Sequence, residues 1–166
     1  MTELPDLSSA RIRAAAAGRE RAPEVQACLD GAPGYFERTE GAPVAPDAAL
    51  RLLADAEGDP ERQVLLLEAR TGGPPLGILD LYLHQPEPGV AHVGLLLLRE
   101  AVQGRGLGRE VVEALARALA TAGFTALRAS VTAETPAARE FWERLGFAEA
   151  GRIDRGVTVY EMLLDR

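Results

Sequence analysis

QGRGLGRE, Gln103 to Glu110, stands between the apolar run Val90 to Leu98 and the most regular helical period in the chain. Its three glycines, Gly104, Gly106 and Gly108, let backbone come close to a ligand. The N–H groups and positive dipole end of the helix that follows favour an anion at that point. A pyrophosphate suits such a turn. Two other glycine motifs fail on inspection. A dinucleotide GxGxxG starting at Gly104 needs glycine where Arg109 stands, and the phosphate loop of an NTPase needs a lysine. The chain has no lysine, all 18 of its basic residues being arginine, which also excludes Schiff-base chemistry on pyridoxal.

Downstream of the turn, Leu107, Val111, Leu115, Ala118, Leu119 and Ala122 recur on one helical face, and Gly123 stands where such a helix stops. Ala126 to Thr132 then reads as a strand. Thr135 reads as an N-cap with Pro136 in the first helical position, opening a helix that runs to Leu145 and stops at Gly146. Val157 to Leu164 supplies a last strand. Upstream, Gln63–Ala69, Leu76–His84 and Val90–Leu98 are strand-length apolar runs divided by TGGPP and QPEPG, an antiparallel meander. Gly94 interrupts the third run where a bulge or a close approach is expected. Nearer the start, Ala10–Ala17 reads as a strand, and Ala22–Leu29 and Asp47–Ala56 read as helices. The Gly- and Pro-rich stretch between those helices, around Tyr35 and Phe36, reads as a loop. The expected fold class is α/β with a mixed (α+β) sheet: one domain over 1–166, six or seven mostly antiparallel strands with one splayed parallel pair, and about four helices.

Composition agrees with one compact core: hydrophobic residues make up 47% and charged residues 26%. A lone Cys28 excludes an intramolecular disulfide, and with only His84 and His92 beside it there is no Cys/His zinc set. The start, MTELPDLSS, lacks a basic and apolar leader, and no apolar stretch approaches the ~18 residues of a membrane span. A cytoplasmic location is expected, with neither nucleic acid nor membrane as partner. The net charge of -7 opposes phosphate backbones and mildly favours cationic small molecules by long-range steering.

Gln103-x-x-Gly106-x-Gly108 resembles the QxxGxG signature of the GNAT superfamily, the general-control-related N-acetyltransferases. The stretch TPAAREFWERLGF, Thr135 to Phe147, resembles the superfamily's second motif, and the spacing between the two fits as well. The resemblance covers Gln63 to Leu164. It implies acetyl-CoA as co-substrate and a small-molecule or peptide amine as acceptor, with a homodimer left open. It further implies that backbone groups of Leu96 and Leu98 bond the pantetheine arm, and that Gln103, Gly104, Arg105, Gly106, Leu107, Gly108 and Arg109 hold the pyrophosphate.

Two positions depart from that pattern. The family's usual asparagine is Thr135, a helix cap with less reach toward the cofactor. Its usual tyrosine, the acid that protonates the leaving thiolate, is Trp142, which donates a hydrogen bond but supplies no proton. Tyr160, Tyr82 or water then stands in as acid. His92 stands eleven residues before Gln103, where some members of the superfamily carry a catalytic Glu or His, and imidazole titrates near neutrality. The resemblance therefore implies His92 as the candidate base, with water as the alternative. Strict alternation puts His92 on the same face as Gly94, Leu96 and Leu98, and a bulge at Gly94 flips that parity. Asp80, Tyr82 and His84 are expected to line the acceptor pocket, and Tyr35, Phe36 and Glu37 to shape acceptor choice. The resemblance implies direct transfer to the amine, the alternative being a non-catalytic coenzyme A-binding module.

Overall fold

The structure, a computed structural model, describes residue 4 and residues 6–132, 135–153 and 156–165. The chain runs β1 (Ile12–Ala16), α1 (Ala22–Asp30), α2 (Pro33–Glu40), α3 (Ala48–Glu57), β2 (Arg62–Ala69), β3 (Gly77–Leu83), β4 (Val90–Leu98), α4 (Leu107–Thr121), β5 (Ala126–Val131), α5 (Pro136–Arg144), β6 (Ala148–Ile153) and β7 (Val157–Leu163). These strands form one seven-stranded sheet in the order β1-β2-β3-β4-β5-β7-β6. All neighbouring pairs are antiparallel except β4 with β5, so the expected mixed α/β sheet is present.

Alternation along the strands divides the apolar residues between two faces. Leu65, Leu67, Leu79, Leu81, Leu83, Leu127 and Ala129 join the α4 stripe Val111, Leu115 and Leu119 in one cluster, together with Trp142 of α5. Val64, Leu66, Ile78 and Leu97 pack on the other face against α1, α2 and α3 through Val25, Leu29, Phe36 and Leu53. At roughly 25 cal/mol for each Å2 of apolar surface buried, these clusters supply the main drive for folding.

Two elements were not expected. Residues 33–40 form the helix α2 rather than a loop, so the α-helices among the described residues number five. Pro33 starts it, Phe36 is its buried residue, and Gly41 ends it in the left-handed region at φ 68°. Ala148–Ile153 forms the edge strand β6, paired with β7.

β4 carries the irregularity that positions the site. Its pairing with β3 shifts between Asp80 and Leu81, which face Leu95 and Val93, leaving Gly94 as an extra residue. The bulge inverts the alternation. Ala91 and Val93 belong to the α4-side cluster, and so do Leu96 and Leu98, whereas Leu95 and Leu97 belong to the α1-side cluster. His92 therefore lies on the face opposite Leu96 and Leu98. Strict alternation misplaces it because the bulge inserts one residue between them. A Cβ at 94 would lie 2.8 Å from Cε2 of Tyr82, so a side chain there must displace the Tyr82 ring.

A candidate acetyl-transfer site between β4 and β5

β4 pairs with β5 only from Val90↔Ala126 to Val93↔Ala129. Beyond that point the two strands splay, β5 continuing against β7. The backbone N–H of Arg99 donates to Leu76 O at 2.9 Å. By the alternation of an antiparallel ladder, Leu97 and Leu95 then also turn their backbone groups toward β3, while those of Leu98 and Leu96 face the gap. A cleft of about 190 Å3 opens there, lined by Leu96, Ser130, Thr132, Thr135 and Trp142, with Tyr35 closing it from α2.

At its outer end lies a second cavity of about 450 Å3, bounded by Leu98, Gln103, Gly104, Gly106, Gly108 and Phe141 among others. Gly104 (φ 78°) and Gly106 (φ 77°) hold left-handed conformations that turn the chain into α4, for which Gly106 is the N-cap. The first intrahelical bond is from Glu110 N to Gly106 O at 3.1 Å, so the N–H groups of Leu107, Gly108 and Arg109 precede it and lie at the positive end of the helix. Gly108 meets a different need: a Cβ there would lie 3.3 Å from the Phe141 ring.

Side chains of the turn mostly brace it. Gln103 Nε2 donates to Leu98 O at 2.8 Å, tying the turn to the end of β4, and Arg105 Nη2 donates to Ala101 O at 3.4 Å. Arg109 pairs with Glu113 on the exposed face of α4. Glu110, in the helix's first turn, is held by the Ser9 hydroxyl and by Arg11, whose backbone N and Nε both donate to it. Burial raises the pKa of that carboxyl, but the hydrogen bonds from Ser9 and then from Arg11, with the Arg11 charge, outweigh it and hold the carboxylate below its usual range.

On the opposite face, His92 borders a third cavity, of about 490 Å3, with Tyr82, Gln85, Arg128 and Val159. His92 Nε2 lies 2.6 Å from Ser130 Oγ. Ser130 is thus shared, lining the splayed cleft while touching the imidazole of the neighbouring cavity. Burial, and then the positive charge of Arg128, hold the His92 pKa below the ordinary 6.5. The ring is neutral at pH 7 and able to accept a proton.

The remaining sequence candidates fall into distinct places. Thr135 is a cap, its Oγ1 accepting from Ala138 N at 3.1 Å. Trp142 is 7% exposed and meets Phe141 and Phe147 edge-on, each at 5.0 Å between centroids. Tyr160 is fully buried in the α4-side cluster. Asp80 is locked in a two-pronged pair with Arg62, at 2.9 and 2.8 Å, and Arg62 also lies over the Tyr82 ring. His84 leaves the strand at φ 56°, accepts from Gly89 N through Nδ1 and stacks on Phe124, so it shapes a turn rather than the pocket. Phe36 is core, while its neighbour Tyr35 faces the cleft.

Sequence reasoning missed Ser130 and Arg128, and gave Tyr35 a part in acceptor choice rather than a place in the splayed cleft. The register that puts Arg128 beside His92 depends on a parallel pairing that no local pattern reveals. Cys28 is wholly buried, and burial pushes its thiol up to about 11, which leaves it inert as a nucleophile. Among the described residues there is no metal-binding cluster and no helix long and apolar enough to cross a membrane.

Comparison with known proteins places this geometry. The model of the acetyltransferase (GNAT) family matches residues 30–147. The structure of an acetyltransferase from Thermus thermophilus superposes with a TM-score of 0.85 at 31% identity, covering 96% of this chain and 100% of that one. The fold is shared with two others at 16% identity. One is a Salmonella typhimurium acetyl transferase that modifies the N-terminal serine of ribosomal protein L7/L12, with TM-score 0.78 and coverage of 98% and 100%. The other is spermidine N-acetyltransferase from Vibrio cholerae in complex with CoA and spermine, with TM-score 0.72 and coverage of 93% and 96%. With the family's model spanning most of its length and a 31%-identical relative matched from end to end, the chain belongs to the GNAT family and is an acetyl-CoA-dependent N-acetyltransferase.

Proposed function

We propose that this enzyme acetylates a primary amine by direct attack, with coenzyme A entering through the Gly104–Arg109 turn and the acceptor reaching the splayed cleft from the His92 face. The observation that carries this reading is the 2.6 Å contact of His92 Nε2 with Ser130 Oγ, which joins the acceptor cavity to the cleft. Acetyl-CoA supplies a thioester, an acyl group already activated toward amines. The N–H groups of Leu107, Gly108 and Arg109 and the helix dipole hold its pyrophosphate. Leu96 and Leu98 bond its pantetheine arm through their backbone. Gln103 keeps the turn in register with β4, while Thr135 and Trp142 shape the inner wall.

Within this scheme Ser130 passes the amine's proton to neutral His92, the base. Positioned base catalysis is worth on the order of 10²–10⁴ in rate. Of the three tyrosines in the sequence, Tyr35 lines the cleft, Tyr82 the acceptor cavity, and Tyr160 is enclosed in the core. Burial raises the Tyr35 pKa and keeps its O–H protonated. We assign it, rather than Tyr160, the protonation of the leaving thiolate, which with a pKa near ~8.5 needs only modest help. The test is a screen of amines, amino acids, polyamines and peptides with free thiol as the readout, followed by initial rates over both substrates. Intersecting double-reciprocal lines are expected. Parallel lines, the mark of an acetylated enzyme, would refute direct transfer.

A further inference from the structure

The described residues bordering the cavity beside His92 carry two formal charges, both positive: Arg128 and Arg152. Arg128 is the register neighbour of His92 across β4 and β5, and its charge is felt by the imidazole. It donates Nε to Glu161 Oε2 at 2.6 Å. A guanidinium presents further N–H donors in a rigid fork, so one bond to Glu161 does not exhaust it. Its side chain is 30% exposed, buried enough for weak screening and open enough for access. Of the other carboxylates nearby, Asp80 is held by Arg62, Asp59 by Gln85 at 3.0 Å, and Glu149 by Arg152 at 3.3 Å. None of these, nor Glu161, borders the cavity.

From this arrangement we infer that the acceptor is an amine that also carries an anionic oxygen group, a carboxylate or a phosphate, which Arg128 binds through its outer nitrogens while the amine lies at Ser130 and His92. The inference rests on the proposal that the acceptor enters on the His92 face, and it names the class of acceptor. The chain's net charge of -7 acts at long range, whereas the charged groups that border the cavity itself are the Arg128 and Arg152 guanidiniums, whose carboxylate partners Glu161 and Glu149 do not border it. A polyamine would bring a second ammonium against Arg128. An anionic group fits the planar fork in two-pronged fashion.

The experiment compares matched acceptors on the wild-type enzyme: an α-amino acid against its decarboxylated amine, phosphoethanolamine against ethanolamine, and spermidine as the cationic control. The anionic member of at least one pair is expected to show a kcat/KM at least tenfold higher, expressed mainly in KM, and the two pairs distinguish carboxylate from phosphate. Arg128→Gln should erase that preference. Glu161→Gln, which releases Arg128 Nε, should lower KM for the anionic acceptor, a change that a merely structural pair would not produce. Equal or better use of the amines that lack the anionic group, or of spermidine, would overturn the inference and leave acetyl transfer standing. If no amine were turned over while acetyl-CoA still raised the melting temperature, acetyl transfer itself would fall, and this inference with it.

Discussion

Gly106 and Gly108 are two residues apart in one turn, yet the structure requires glycine at each for a different reason, and the difference can be measured. Gly106 is left-handed at φ 77°, and the nearest atom to a Cβ there is Arg11 Nη2 at 3.7 Å, an ordinary contact. Gly106→Ala therefore costs conformational strain alone, roughly 1–2 kcal/mol. For a domain of this size each kcal/mol is about 2–4 °C, so the melting temperature should fall by about 2–8 °C. Gly108 lies inside α4 with helical backbone, where alanine gains about 1 kcal/mol of helix propensity. Opposing that gain is the 3.3 Å contact with the Phe141 ring. Gly108→Ala should leave apo stability nearly unchanged, while Gly108→Val adds branches on the wall of the outer cavity. Acetyl-CoA at a hundred times its Kd stabilises the native state by about 2.7 kcal/mol. In Gly108→Val at least a tenfold loss of affinity should remove about 1.4 kcal/mol of that. Differential scanning fluorimetry with and without acetyl-CoA reads both quantities. An unchanged apo melting temperature in Gly106→Ala, or a full acetyl-CoA shift in folded Gly108→Val, would refute the division of roles.

Other outcomes follow from the same geometry. His92→Gln should lower kcat by about 10²–10⁴ with little change in acetyl-CoA affinity. In the wild type, kcat/KM should hold as pH falls through 6.5 and drop only below it, because burial and Arg128 keep His92 neutral to lower pH; stopped assays from pH 5 to 9 check this. Trp142→Ala, emptying a site packed edge-on by Phe141 and Phe147, should cost about 3–5 kcal/mol in denaturant unfolding. Thr135→Ala should cost about 1 kcal/mol through loss of the cap on α5, without altering the acetyl-CoA Kd measured by calorimetry. Tyr35→Phe should slow turnover more than Tyr160→Phe does, the gap narrowing at high pH; equal effects would remove Tyr35 as the proton source.

The elements legible in the sequence were those whose cause is local. Helix α4 follows from its stripe and from Gly106 and Gly123, and α5 from Thr135, Pro136 and Gly146. β4 follows from nine residues of apolar run bounded by Gly89 and Arg99. α2 was not legible because PGYFERTE is short, contains Gly34 and buries Phe36 alone, so it persists by packing against the α1-side core rather than by propensity. β6, AEAGRI, has little β-preferring character and exists as the partner of β7. Within the site, the glycine turn and His92 could be read. Ser130 and Arg128 could not, since they lie 38 and 36 residues from His92 and only the β4–β5 register brings them beside it. The Arg62–Asp80 pair, 18 residues apart in sequence, was hidden for the same reason.

The single extra residue at Gly94 acts as a phase shifter within one strand. Upstream of it the odd-numbered Ala91 and Val93 face the α4-side core and His92 faces away; downstream the even-numbered Leu96 and Leu98 face that core and Leu95 and Leu97 face away. On the proposed reading, substitutions elsewhere around the cavity beside His92, at Tyr82 for example, can therefore retune the acceptor while 96 and 98 stay under a separate constraint. Deleting residue 94 would remove the extra residue and make Val93 and Leu95 consecutive opposite Leu81 and Asp80, so that His92, Leu96 and Leu98 keep their faces while the local bend and added twist of the bulge are lost. Such a deletion should therefore leave the core alternation intact and act on the splay between β4 and β5 instead.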